Sequence, residues 1–540
     1  MIKRYLLGLL FFVPAFALAQ PSTDVTPVDE AAVAKLMDEG INHSEVMDIL
    51  GWLTDVYGPR LTNSPQVGRA SDYAAGKLKE WGLQNVEKHK WGPFGKGWEL
   101  KRFALHASTP YTYFPVLGYP KAWSPGHKKP VKGEVIYLKI DSLNTLASYK
   151  GKVKGKFVLI GKVNTPEADW NPKASRMNDE RLLGLANAAP VKPMQRQPNA
   201  AALAEARRNF EIAQFLLDEK PLAILDQSYR GWGGQVAISS ATLPNDPSKS
   251  RFEQKRPWQK DAPEPINQIS LAREHFGRMV RLLEKGVPVT MELEMNVEFQ
   301  VKDDYDYNVI GEIPGTDPAL KDEIVMLGAH IDSWHTGTGT TDNAAGTAAM
   351  MEAVRLIKKS GIQPKRTIRI GLWSGEEQGL LGSIAYVKDT FADKKGDFWS
   401  GDTVLAKPAH KNLAAYFNLD NGSGQIRGIY LQENEPLRAQ FREWLKPFKD
   451  WKAATVSFSN TGGTDHQSFD NVGLPGFQFI QDPLEYGTLT HHSNMDLYER
   501  AEMQDMKRNA VIIASFVLQT ANLAEKPARK TGRYVLIDAK

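Results

Sequence analysis

Five segments of the chain put imidazoles and carboxylates where a divalent cation could meet them. In Gly328-Ala329-His330-Ile331-Asp332 the histidine and the aspartate stand two apart at the end of an apolar run. In extended backbone both then fall on one side, with Asp332 placed to orient the imidazole. Asp342 follows a Gly/Thr-rich turn in Thr340-Thr341-Asp342-Asn343-Ala344-Ala345-Gly346 and precedes a helical pattern. Taken singly, His330 reads more readily as a satisfied strand-end histidine and Asp342 as a helix N-cap. The third segment, Trp373-Ser374-Gly375-Glu376-Glu377-Gln378-Gly379, sets two carboxylates side by side. Such neighbours repel unless a cation or a shared proton holds them, and in extended backbone they point apart, so one can ligate a metal while the other faces water. Asp420 ends Phe417-Asn418-Leu419-Asp420, and His491 and His492 stand in Leu489-Thr490-His491-His492-Ser493-Asn494-Met495-Asp496. With no cysteine in the chain, a metal site must use nitrogen and oxygen donors, a set that suits zinc. Five donors satisfy two zincs if one carboxylate bridges them: Asp342 as the bridge, Glu377 and a histidine of the last segment on one ion, His330 and Asp420 on the other.

The elements that must carry these residues follow from hydrophobic spacing. From Asn308 the chain reads strand, strand, helix, strand, helix, strand, with continuous apolar runs and no alternation. That pattern predicts an α/β fold, a mostly parallel central sheet flanked by helices on both faces. Ligands gather at the carboxyl ends of strands in such sheets, where His330, Asp332, Glu376, Glu377 and Asp420 fall. Helical patterns precede it, from Ser44 to the stop at Gly58-Pro59 and from Ala70 to Trp81, and a closing helix is expected from Ala501 to Ala521. Between 113 and 299 short β-like runs predict an inserted β-rich domain, broken by a polar, Pro-rich stretch from 164 to 199 and a helical one from Ala200 to Leu217. The division is then 20–112 and 300–524 for the main domain, 113–299 for the insert and 525–540 for a basic tail expected to fray.

At 540 residues the chain is long enough for more than one domain. Lys3 and Arg4, an apolar run and Ala17-Leu18-Ala19 predict an export signal over 1–19, cleaved after Ala19, and hence a secreted or periplasmic protein. Its loss takes the formal charge from +4 to +2, too little to suggest nucleic acid or an anionic membrane as partner. Expected partners are a peptide substrate and, at most, a second copy in a homodimer. Neither a His-Glu-x-x-His helix nor a Gly-x-Ser-x-Gly elbow is present, which removes the main support for single-zinc endopeptidase and serine hydrolase readings.

In order and spacing, GAHIDSW…TDNAAG, WSGEEQGLLGS, FNLD and HHSNMD resemble the motifs of the co-catalytic dizinc aminopeptidase and carboxypeptidase family. The resemblance is nearest to the branch with plasma glutamate carboxypeptidase (carboxypeptidase Q) and the vacuolar-type aminopeptidases. Gly151 to Leu159 and Ile269 to Arg273 resemble that family's protease-associated domain, so the likeness extends over nearly all of the mature chain. It implies a secreted exopeptidase, an aminopeptidase or dipeptidase, holding two zincs by His330, Asp342, Glu377, Asp420 and His492. Glu376 is then the general base toward a water between the zincs. The family's His-Ser/Thr-x-x-Asp/Glu pattern selects His492 over His491 and brings in Asp496. His491 occupies the place of an oxyanion-steadying tyrosine in some members, and a cis peptide is implied at Asp342-Asn343. Thr461 to His466 resembles a substrate-side loop through Asp465 and His466, although a glycine-rich turn with a capping aspartate reads as well. A carboxypeptidase, a one-zinc glutaminyl cyclase-like acyltransferase and a silent receptor-like protein stay open as alternatives.

Overall fold

The computed structural model describes residues 25–140, 142–164, 168–189, 199–250, 253–530 and 534–539; the expected export segment lies outside them. An eight-stranded central sheet runs in the order Gln84–Trp91, Asp306–Ile313, Thr367–Trp373, Ile324–His330, Leu413–Asn418, Gly476–Gln481, Ile426–Tyr430, Thr455–Ser457. The four strands from Thr367–Trp373 to Gly476–Gln481 are parallel. Asp306–Ile313 and Ile426–Tyr430 pair antiparallel on either side of them, so the sheet is parallel at its centre and mixed at its flanks.

The central strands lack alternation because their two faces feed two cores. From Ile324–His330, Val325, Leu327 and Ala329 enter one core while Ile324 and Met326 enter the other; Phe417 and Tyr416 divide the same way. Burial on both faces requires apolar residues at every position. The first core is covered by the helices Glu30–Asn42, Ala345–Ser360 and Met503–Asn522, the second by Leu381–Thr390 and His466–Asp470. The helix Pro65–Glu80 starts earlier than its apolar spacing suggests, because Ser64 caps Val67 N and Pro65 suits the first turn.

A second eight-stranded sheet has the order Tyr113–Pro115, Gly97–Ser108, Thr290–Gln300, Val131–Leu138, Phe157–Ile160, Ala223–Gln227, Gln268–Leu271, Gly118–Pro120. It recruits Gly97–Ser108, ahead of residue 113, because that strand pairs along its length with Thr290–Gln300. A helix, Asp179–Ala186, capped by Asn178, stands inside the stretch read as irregular. The C-terminal tail is a correction too: Val535–Asp538 does not fray but pairs parallel with Thr403–Ala406, where backbone hydrogen bonds compensate for its exposed side chains. No helix among the described residues is long and apolar enough to cross a membrane.

Candidate metal centre

The strand ends bring the donors together. His330 closes Ile324–His330, Glu376 and Glu377 follow Thr367–Trp373, and Asp420 follows Leu413–Asn418. Between Trp373 and the two glutamates the chain turns through Gly375 at φ +71°, where a Cβ would lie 2.6 Å from the Trp91 ring, so only glycine fits. Asp342 lies in the turn Thr340–Ala344, and the Asp342–Asn343 peptide is cis. His491 and His492 follow the turn Tyr486–Thr490.

His330 Nε2 is 3.3 Å from Asp342 Oδ1, 3.3 Å from Asp420 Oδ1 and 4.0 Å from Glu376 Oε2. His492 Nε2 is 3.1 Å from Asp342 Oδ2 and 3.0 Å from Glu377 Oε2. The two oxygens of Asp342 thus face opposite neighbours. His491 Nε2 stands 3.6 Å from Asp342 Oδ2, so both histidines of the pair, and not His492 alone, reach the bridge position.

The electrostatics are those of a site built for a cation. His330 Nε2, Asp342 Oδ2, Glu377 Oε1 and Asp420 Oδ1 are buried without a hydrogen-bond partner, which native folds rarely tolerate unless another group satisfies them. Burial, reinforced by Asp420 and Asp465, pushes Glu376 well above the usual carboxylate range, and burial with Asp342 beside it pushes Glu377 up to about 7. Burial opposes a charge on His330, yet Asp420, Glu376, Asp332 and Asp342 together raise it well above the ordinary imidazole range. Carboxylates forced this close favour a proton or a metal between them. His330 with Asp342 and Asp420, and Asp342 with His491 and His492, each offer three ligand atoms within 4.8 Å of one another.

The supporting residues differ in detail from the sequence reading. Asp332 holds His330 chiefly through its backbone: His330 Nδ1 bonds the Asp332 carbonyl at 3.1 Å, against 3.5 Å to the carboxylate. That carboxylate accepts from Thr62 Oγ1 at 2.7 Å and from the Glu376 and Glu377 amides at 3.3 and 3.4 Å, so it aims the glutamate turn. Asp496 accepts from the Thr341 and Asp342 amides at 2.7 and 3.1 Å, fixing the bridge rather than His492. Asp465 and His466 are fully buried, which places both beneath the site rather than on a substrate-facing loop. Burial raises Asp465 to about 7, and His466 Nε2 bonds the Thr461 carbonyl at 3.0 Å.

Two further residues were not legible beforehand. Arg60 is fully buried and donates to the carbonyls of Leu53, Ile331, Thr338 and Gly339 at 2.7–2.9 Å. It ties the strand end to the Gly/Thr turn and sets a positive charge behind Asp496, Asp332 and Asp342, although desolvation lowers it to about 10. In sequence it is a lone arginine in a turn, with no signal. Tyr486, five residues before His491, is half-buried; burial first, then Asp342, Asp420, Glu377 and Glu376, holds its phenol well above its usual range and therefore protonated. Its ring packs against His491, 4.8 Å between centroids, but what it faces across the cleft is set by distant segments.

Residues 308–517 match the family model described as Peptidase family M28. The chain is 28% identical over 495 residues to carboxypeptidase Q of Mus musculus, covering 92% of this chain and 89% of that one; matches to further carboxypeptidase Q chains span about half of those chains. Its fold is similar to that of a peptidase M28 precursor from Shewanella amazonensis, with TM-score 0.62 and 21% identity over 92% of this chain and 98% of that one. An aminopeptidase from Aneurinibacillus sp. strain AM-1 is similar with TM-score 0.51 and 17% identity, over 94% and 100% of the two chains. The family match over 308–517 and the likeness along nearly the full length to carboxypeptidase Q coincide, and they support a metallo-exopeptidase with a segment similar to Peptidase family M28.

Proposed function

We propose that the protein is a zinc-dependent exopeptidase that hydrolyses terminal peptide bonds of short peptides, with two zincs held by His330, Asp342, Glu377, Asp420 and His492 and with Glu376 as general base. The observation that carries this reading is Asp342, whose two oxygens face His330 and His492 separately while Asp342 Oδ2, Glu377 Oε1, Asp420 Oδ1 and His330 Nε2 stay unsatisfied. Zinc in such a nitrogen and oxygen set supplies Lewis acidity, lowering the pKa of water and stabilising developing negative charge.

The chain's own groups do the rest. Glu376, buried beside His330, takes the proton of the attacking water and passes it to the leaving amine, a role suited to a carboxyl whose proton affinity is raised. Asp332 keeps Glu376 in place through its amide. Tyr486, kept protonated by the carboxylates around it, supports a donor role toward the carbonyl oxygen, and His491, which burial lowers to about 4, adds a neutral imidazole. The family resemblance and the composition of residues 1–19 support export, with the mature chain starting after Ala19, and the second sheet is read as the protease-associated domain.

The test is elemental analysis of the purified chain together with hydrolysis of unblocked dipeptides. Two zincs per chain and activity abolished by a chelator but regained with zinc are the expected results. One zinc, or none, with full activity would sink the two-metal reading.

A further inference from the structure

The two faces of the second sheet are packed unequally. Its strands Val131–Leu138, Phe157–Ile160, Ala223–Gln227 and Gln268–Leu271 run parallel, and such strands need apolar cover on both faces. One face sends Val135, Phe157, Leu159 and Leu225 into a core with Phe276, Met279 and Val280 of the helix Arg273–Glu284. The other presents Leu138, Val158 and Ile224 to the helix Ala200–Glu219, and of the 20 residues of that helix only Leu216 is buried. What separates helix and sheet there is a cavity of about 1190 Å³, slightly above the ~300–1,000 Å³ of ordinary ligand sites. Protein interiors leave few voids larger than a water molecule, so a space of this size beneath a helix calls for an occupant. None of the proposed metal donors lines it.

The lining divides by chemistry. Ile140, Ile160, Ile212, Ile224, Leu243 and Ile266 form aliphatic walls. Asp226, also in the wall, is neutralised, since it accepts from Lys121 Nζ and from Ser270 Oγ, the latter at 2.8 Å. The remaining charges are Lys139, Lys162, Arg208 and Arg281 against Glu205 and Glu284, an excess of cations. Leu138 pairs with Ile160, so Lys139 and Lys162 leave the sheet side by side at the carboxyl ends of two parallel strands, where ligands of such sheets gather. Neither lysine has an ion-pair partner among the described residues.

We propose that this cavity is a second binding site, separate from the metal centre, for a free aliphatic carboxylate of medium or long chain. The chain lies between the helix Ala200–Glu219 and the sheet, and the carboxylate meets Lys139 and Lys162. An unbranched hydrocarbon gains by leaving water for aliphatic walls, and two ammonium groups at one end select an anionic head.

Decanoate and decanol are titrated into the full chain below the micellar range. One decanoate per chain is the expected result, with the alcohol bound about 5-fold more weakly, the ratio that a partly exposed charge pair sustains. Amide hydrogen exchange over Ala200–Glu219 should slow when decanoate is present. Ala213 lines the cavity from the helix, so Ala213→Trp fills it and should lose decanoate, whereas Lys139→Gln with Lys162→Gln should bind acid and alcohol alike. No binding by the wild type overturns the site, and so does equal binding of acid and alcohol. Undiminished binding in Ala213→Trp overturns it as well, because decanoate then sits at the metal centre or on the outer surface. If Ala213→Trp does not fold, the paired lysine variant decides, and a preference for the acid that survives there refutes the proposal.

Discussion

The two sides of the metal centre are held by different means. His330 has a fully buried side chain and the Asp420 side chain is 6% exposed. Both hang from parallel strands whose backbone bonds and two apolar cores fix their positions. His491 and His492 stand on a loop, with side chains 35% and 26% exposed. His492 also has left-handed backbone, φ +55°, which costs about 1 kcal/mol or more for a residue with a side chain. What holds that conformation is the loop between the second-sheet strands Ala223–Gln227 and Gln268–Leu271, through Ile238 N and the Val236 N–Asn494 bond. A donor on a strand end is rigid without help, whereas a donor on a loop needs an outside partner and gains access to the cleft in exchange. The arrangement makes a loop of the second sheet a support of the histidine side of the centre.

Changing Asp342 strikes both sides at once. Asp342→Ala is expected to abolish turnover and remove both metals together, read by elemental analysis; retention of one full equivalent would show that the sides bind independently. Glu376→Gln belongs to neither side, and it should keep both metals while kcat falls by about 10²- to 10⁴-fold. Wild-type turnover in this variant would remove the base assignment.

Arg60→Lys attacks the strand-end side, since a lysine cannot satisfy four carbonyls in three directions. A loss of about 3 kcal/mol in unfolding free energy is expected, and a change under about 1 kcal/mol would show that Arg60 is not what fixes the Asp342 turn.

The seam between the sheets is testable by pH. His335 is buried, its Nε2 bonding the Pro120 carbonyl at 2.7 Å, and burial lowers it to about 4. The folded state favours the neutral ring, so this contribution is complete above the unfolded value near 6.5 and is lost as pH falls toward 4. Between pH 6.5 and 5 it amounts to about 2 kcal/mol. Chemical denaturation of the metal-free chain at those two pH values should show a smaller difference in His335→Gln than in the wild type.

Asn494→Ala is the mildest change and touches only the loop side. It removes the bond to Val236 N, worth about 1 kcal/mol, so one of the two metals should exchange several-fold faster while the other is unchanged. Equal acceleration of both would erase the distinction between the sides.

Much of this centre was legible because the chemistry is local. Strand-end His330, Asp342 ahead of its helix, the Glu376-Glu377 pair and Asp420 announce themselves by residue type, and continuous apolar runs place them on one edge of a doubly covered sheet. By contrast, Arg60 looks like any solvated arginine, Tyr486 like any loop tyrosine, and Asp465 like a turn cap. Nothing in their neighbours encodes what they face. The tail that closes as Val535–Asp538 escaped for the same reason, since its partner strand is more than a hundred residues away.

The sequence by itself determined which imidazoles and carboxylates stand at the strand ends, the elements that bear them and the α/β class, because spacing and hydrophobic period act over a few residues. Only the tertiary structure decided that Asp496 holds the Asp342 turn, that Asp332 aims the glutamates, and that a loop of the second sheet pairs with the histidine loop through Ala237 and Ile238. Those are contacts between distant segments, set by how whole sheets pack, and no local pattern records them.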